Sequence, residues 1–434
     1  MKRIFFLSTT LFICIILTVT VFAEVTPLPA NINTGFSPNF APNPVGSGAR
    51  ALGYSSFIAV ADDATAASWN PGALIQLKKS ELSIMGSWFY RNEDNTFKEH
   101  PEAEGSYNIS DFDLNYMSIA YPFRLLDRNI IISLNYQHTF SFSRLSYKFN
   151  EQVKNSENNM PIPQLYSFND IIQQQSGNIS AVGLAYSFEI IPRSLSFGFI
   201  VNIWDDDLSE NNWEQTYGGS TIIENGDVNV AEFSYKVMSK FIFEGYNFNL
   251  GVLWRSLDRK LTLGAVYKSK FTGDLMHEFH VKQTGNDPNE IIMKKKLKMP
   301  MSYGLGIAYR FSDSFTMASD IYRTHWDEFI IEDDDGTEIS SVTAKPVDES
   351  DVEPTLHLRM GAEYLFINKN KNHVIPLRGG IFYDPSPAEG NPDNYYGFSI
   401  GSGFAKGRYI WDIALQYRFG RNVGDSTNPN YEFS

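Results

Sequence analysis

The chain has 434 residues, a formal net charge of −14 and one cysteine, and it is rich in aromatics, with 23 Tyr and 33 Phe. An acidic balance of this size argues against a nucleic-acid binder, whose affinity comes from neutralising phosphates, and a lone cysteine excludes an internal disulfide framework or a thiolate metal site. Past residue 23 no apolar run reaches the length of about 18 residues that a membrane-spanning helix needs, whereas the aromatic content suits the girdles of an outer-membrane barrel.

Residues 1–23 read as a secretory signal peptide. Lys2 and Arg3 form its positive start, Ile4–Val21 its apolar stretch, and Val21-Phe22-Ala23 its cleavage site, so the mature chain starts at Glu24. An uncleaved anchor helix is the alternative, because the apolar run is nearly long enough to span a bilayer. Cys14 lies inside this segment behind Phe12-Ile13, which is not a lipoprotein box.

Residues 24–80 do not alternate. Pro27, Pro29, Pro38, Pro42 and Pro44 make the first part extended or looped, and residues 46–77 are small, alanine-rich and sparsely charged. Asp62 or Asp63 can cap a short helix within Ala61–Trp69, and Asn70-Pro71-Gly72 ends it. Such a compact stretch ahead of a barrel makes a plug. A soluble periplasmic extension is the other reading, disfavoured by the scarcity of charge.

From residue 81 to 420 the chain reads as about thirteen segments of period-two alternation. Ile130, Ile132, Leu134, Tyr136, His138 and Phe140 share one face of an early segment. Val182, Leu184, Tyr186, Phe188 and Ile190 share one face of another, as do Tyr303, Leu305, Ile307 and Tyr309, and Trp411, Ile413, Leu415, Tyr417 and Phe419. The opposite faces carry Gly183, Ala185, Gly304, Gly306 and Ala308. These leave room beside the wall for something that occupies the lumen, or merely ease strand curvature. Gaps between segments alternate in length. Those at 122–128, 191–194, 255–260, 311–314, 367–373 and 405–408 are tight, and those at 92–111, 147–176, 205–239, 271–299, 331–353 and 384–393 are long. Short periplasmic turns and long external loops are the pattern of a transmembrane antiparallel β-barrel. In hydrocarbon the apolar faces need no cover, and ring closure satisfies the backbone. The tight gaps are basic, and the long ones carry acidic runs at 205–207 and 332–335. These read as solvated loop tips rather than divalent-cation sites, since they lack calcium-loop spacing.

Bacterial single-chain barrels have even strand numbers, so thirteen is one short. A strand pair partly hidden in 205–239, where Phe233, Tyr235 and Val237 alternate, is one explanation. A missing terminal strand is favoured, because residues 421–434 are polar and make no convincing strand.

Three runs in the N-terminal part, Gly46-x-Gly48-Ala49-Arg50-Ala51, Asp62-Asp63 among alanines, and Trp69-Asn70-Pro71-Gly72-Ala73-Leu74, resemble the N-terminal hatch of the FadL/TodX long-chain fatty-acid transporters. The usual family form of the last motif is Asn-Pro-Ala, whereas here Gly72 takes the third place. The resemblance implies a fourteen-stranded outer-membrane barrel plugged by residues 24–80. It also implies passive uptake of hydrophobic molecules such as long-chain fatty acids, through an external apolar groove and a site inside the barrel. PorV-like barrels of a protein secretion system share the motif and are the alternative. The expected partners are hydrophobic small molecules, outer-membrane lipid and lipopolysaccharide, with no nucleic acid, no metal and no cofactor, and a monomer is expected.

Catalysis is not expected. The histidines His277 and His280 flank Glu278 without metal or nucleophile spacing, and His138 falls on the outward face of its segment. The candidate groove is the apolar tract Met160, Ile162, Leu165, Tyr166, Phe168, Ile171 and Ile172 within the long gap at 147–176, with a small helix packed on a neighbouring loop as the alternative. Methionine and aromatic side chains suit acyl chains of varied shape. Leu165→Asp combined with Phe168→Asp is expected to weaken uptake of a labelled long-chain fatty acid while the barrel still assembles, and unchanged uptake would remove this tract from the path.

Overall fold

A computed structural model describes residues 46–95, 105–142, 144–154, 165–225, 228–283, 289–421 and 423. The expected signal peptide, residues 24–45, Met160, Ile162 and nearly all of the polar tail lie outside the described residues. In chain order the strands are β1 (Glu81–Asn95), β2 (Gly105–Leu125), β3 (Arg128–Ser141), β4 (Arg144–Lys154), β5 (Leu165–Ile191) and β6 (Leu195–Trp204). There follow β7 (Asn211–Asn225), β8 (Val228–Arg255), β9 (Leu261–Lys268), β10 (Phe271–Gln283), β11 (Asn289–Met299), β12 (Ser302–Arg310) and β13 (Phe315–Thr324). The last six are β14 (Ile330–Asp333), β15 (Glu338–Ser340), β16 (Thr355–Asn368), β17 (His373–Tyr383), β18 (Tyr395–Lys406) and β19 (Tyr409–Gly420).

One antiparallel wall runs β1, β2, β3, β5, β6, β8, β9, β12, β13, β16, β17, β18, β19. Its faces follow the alternation. Tyr303, Leu305, Ile307 and Tyr309 face outward and are exposed, as lipid-facing residues must be, and Ala308 on the other face is buried. Every tight gap closes a hairpin at one end of this wall, and every long gap lies at the other end.

Two features depart from expectation. The long gaps are not loops. Crossing a bilayer takes about 9–11 residues of strand, yet β5 has 27 residues and β8 has 28. Their N-terminal halves continue beyond the wall and pair, with β4, β7, β10, β11, β14 and β15, into an external sheet. Residues 231–238 belong to β8 and pair with β7, so they extend this sheet and add no crossing strand. Secondly, the wall has thirteen strands among the described residues, not fourteen, and no hydrogen bonds join β1 to β19 there. Both start from the tight-turn end and run the same way, so antiparallel closure requires one further strand. Leu82 and Ile84 on β1 are accordingly 79% and 75% exposed, against 51% for Leu134 on the interior strand β3.

Residues 46–77 form α1 (Ala49–Tyr54), α2 (Ala66–Trp69) and a 3-10 turn over Pro71–Gln76. They pack against inward faces of strands on opposite sides of the wall, α1 against β16–β19 and the 3-10 turn against β3, β5, β6 and β8. Burial of Phe57, Ile58, Trp69 and Leu74 with Ile131, Ile200 and Leu253 makes one apolar core of segment and wall. The small residues of the inner faces are where this backbone touches the wall. A Cβ on Gly72 would lie 2.6 Å from the Gly251 carbonyl oxygen, and one on Gly361 would collide with the Tyr54 carbonyl. On Gly304 and Gly306 the obstruction would be Ile58. Occupied space, rather than curvature, accounts for these glycines.

Ahead of α2 the Asp63 carboxylate accepts from the Thr65 backbone nitrogen at 2.9 Å. Burial pushes this carboxyl up to about 6, against the pull of Arg50 and of the Thr65 hydrogen bond. The folded chain therefore holds the proton to a higher pH than the unfolded chain does. The corresponding stabilisation is complete below the ordinary carboxyl value of about 4 and is lost as pH rises through about 6.

Two outcomes follow from this packing. Gly72→Ala, which restores the usual family motif, meets backbone on β8 that cannot swing aside, and overpacking of this kind costs about 1–3 kcal/mol. Limited proteolysis should then cut residues 46–77 in the variant while the barrel stays intact. Hydrogen exchange of residues 62–69 should be slower at pH 5 than at pH 7.5, and Asp63→Asn should remove that difference.

Candidate functional site

The lumen has three levels, set by how far each inward residue lies from the tight turns. The lowest is the seat of residues 46–77. Asn70 ties the seat together, its Nδ2 donating to the carbonyls of Ile58 and Val252 at 3.0 Å each while its Oδ1 accepts from the Gly72 nitrogen at 3.0 Å. The hydroxyls of Ser196 and Ser187 donate to the Gly72 carbonyl at 2.8 and 3.3 Å. Asn70, Pro71 and Gly72 are thus brought together against β5, β6 and β8. Across the lumen Asp320 on β13 accepts from the backbone nitrogens of Phe57 and Ile58 at 2.6 and 3.1 Å. Arg50 on α1 pairs with Asp62 and, at 3.2 Å, with Glu363 on β16.

Above the seat is a cavity of about 40 Å3, lined by Gly46, Ser47, Gln137, His138, Thr139, Asn202, Trp204, Asn247, Asn249 and Lys268. It has room for about three water molecules. Its carboxamides form a directed chain: Gln137 donates to Asn202, Asn202 to Asn247 and Asn247 to Asn249, at 2.8, 3.0 and 3.1 Å. Trp204 Nε1 also donates to Asn247, at 3.1 Å. Such a chain fixes the orientation of each amide through its neighbours. Lys268, the last residue of β9, brings a cation to the cavity.

The highest level is aromatic. Phe142, Trp213, Phe241 and His277 stack in one row with centroid spacings of 4.6, 5.0 and 4.2 Å. Trp204, Phe243 and Phe271 lie below them, and Trp326, Phe329 and Ile331 close the cluster from the segment that connects β13 to β16. Both ring nitrogens of His277 are buried without a hydrogen-bond partner among the described residues. Burial, then the Lys295 ammonium, holds this imidazole down at about 4, so it stays neutral and joins the stack as one more flat apolar ring.

Of the expected groove residues, Leu165, Tyr166, Phe168, Ile171 and Ile172 form part of β5 in the external sheet, paired to β4 on one side and β7 on the other. A tract expected as loop or short helix is therefore strand. Its partner on β7 lies some fifty residues away, with Phe168 opposite Ile222 and Ile171 opposite Gly219, and no local pattern announces that pairing. His138 is also placed differently. A register shift between His138 and Phe140 reverses the alternation, so His138 turns inward to the cavity and Phe140 packs against the aromatic cluster. The cavity residues Asn202, Asn247, Asn249 and Lys268 were not singled out from sequence. Their one signal is the inward phase of Asn247 and Asn249 on β8, two places apart.

The chain matches, over residues 39–396, the family model described as Outer membrane protein transport protein (OMPP1/FadL/TodX). Among solved structures it is similar to a Pseudomonas aeruginosa FadL homologue, with 14% identity, coverage of 87% of this chain and 90% of that one, and a TM-score of 0.55. It is also similar to the CymD monoaromatic hydrocarbon channel, with 16% identity, 88% and 94% coverage and a TM-score of 0.48. The Ralstonia pickettii toluene transporter TbuX gives 14% identity, 88% and 100% coverage and a TM-score of 0.46. No curated protein sequence matches the chain. The first of these structures supports the barrel fold and the family model spans most of the sequence, so the chain belongs to the OMPP1/FadL/TodX family of outer-membrane transport proteins.

Proposed function

We propose that this protein takes up long-chain fatty acids across the outer membrane without an energy source, with residues 46–77 as the hatch that closes the barrel. The observation that carries this reading is the order of the lumen: a deep aromatic cluster outermost, then a small polar chamber with Lys268, then the hatch. An amphiphile with an acyl tail and a carboxylate meets a matching surface at both ends. Each methylene that leaves water for an apolar surface contributes about 0.8 kcal/mol, and a cation among amide donors suits a carboxylate. The tract from Met160 to Ile172 serves as the external landing surface, and the protein works as a monomer among outer-membrane lipid and lipopolysaccharide.

Neutral aromatic hydrocarbons are the competing cargo, since two of the similar structures are described as a monoaromatic hydrocarbon channel and a toluene transporter. They would use the aromatic cluster and have no need of the cation. A component of a secretion machine is not favoured by the family match. Lys268→Gln separates the two cargoes. Uptake of labelled oleate by cells that carry the variant should fall about tenfold, the effect of about 1.4 kcal/mol, while toluene uptake should stay as in the wild type. Equal loss of both, or loss of neither, would remove the carboxylate from the reading.

A further inference from the structure

The two sides of the hatch are held by different chemistry. Towards β5, β6 and β8 the contacts are backbone against backbone. A Cβ on Gly251 would sit 2.8 Å from the Gly72 nitrogen and one on Gly198 would sit 2.6 Å from it, so Asn70-Pro71-Gly72 lies on these strands with no slack. The bonds there are neutral, apart from Arg255, which donates to the Gln76 side chain at 3.4 Å. Towards β16, β17 and β19 the contact is a chain of alternating charges: Asp62, Arg50, Glu363, Arg378, Asp412. Arg378 Nε meets Glu363 at 2.6 Å. Its other arm reaches Asp412 across β18, where Gly401 and Gly403 leave the way clear.

This chain divides at one joint. Asp62 and Arg50 belong to the hatch, and Glu363, Arg378 and Asp412 belong to the wall. If the Arg50–Glu363 contact of 3.2 Å parts, Arg50 keeps Asp62 and Glu363 keeps Arg378. Neither half is left with a buried charge lacking a counter-ion, which is the costly outcome when an ordinary buried pair loses a member. The Asp62 side chain is also 47% exposed, so water already reaches the hatch end of the chain. Bistable elements of this kind, with both states internally paired, are what gates are made from.

We propose that the Arg50–Glu363 contact is the latch of the hatch, the joint at which α1 parts from the wall, and that the Asn70-Pro71-Gly72 seat is the hinge that stays. Arg50 and Glu363 act here as positioning residues. The inference rests on residues 46–77 being a hatch, and it holds whichever hydrophobic molecule is carried.

Potassium chloride currents through the purified full-length protein in planar bilayers test it, because the readout needs no cargo. Arg50→Gln should raise the frequency of brief openings about tenfold, while Gln76→Ala on the hinge side should leave it as in the wild type. An unchanged frequency in Arg50→Gln, or an equal rise in both variants, overturns the assignment. If Arg50→Gln does not assemble, the pair Arg50→Cys with Glu363→Cys replaces it, since Cys14 is the one natural cysteine and lies in the expected signal peptide. A short reducible bifunctional thiol reagent across that pair should silence the openings, and reduction should restore them. The same reagent across Gln76→Cys with Arg255→Cys should leave openings in place. Openings that persist in the linked latch pair, or that vanish in the linked hinge pair, would likewise overturn it. A wrong cargo class would appear only in the oleate and toluene uptakes and leaves these currents untouched.

Discussion

Backbone amides and carbonyls cannot remain unpaired in hydrocarbon, and the rest of the molecule follows from that constraint. It demands strands bonded to strands, with outward side chains apolar and turns placed beyond the bilayer. The wall meets the demand by alternation, as in Tyr303, Leu305 and Ile307 against Ser302, Gly304 and Gly306. A ring of strands then encloses a lumen whose own inner face must be matched by something. In this protein the match is the N-terminal segment, whose Ile58 fits against Gly264, Gly304 and Gly306 from three neighbouring strands.

The parts of this arrangement that could be read from sequence are those with a local cause. Alternation is local, because each residue of a crossing strand meets either lipid or lumen. The tight turns are local too, and so is the break at Asn70-Pro71-Gly72, where the Asn70 side chain bonds to the Gly72 nitrogen two residues on. What could not be read depends on distant partners. The external sheet exists because β7 pairs with β5 on one side and β8 on the other, a matter of register between segments far apart. The inward turn of His138 depends on one irregularity opposite Ser180, which shifts the phase of all that follows it on β3. Lys268 looked like any lysine at a strand end until β9 placed it beside Asn249, its cross-strand neighbour.

The departure of the hatch motif from the usual family form also has a physical reading. Gly72 and Gly251 face one another so closely that neither has space for a methyl group. The alanine has not vanished but stands at position 73, where it is fully buried in the segment's own core. The motif keeps its carboxamide and its proline and gives up one methyl to move nearer the wall.

The seam between the first and last strands has a directional property of its own. All twelve pairings along the wall are antiparallel. Two copies standing the same way up in one membrane would offer each other only co-directional margins. The ladder used everywhere else is therefore denied to them, and strand polarity alone discourages neighbouring copies from zipping together into chains.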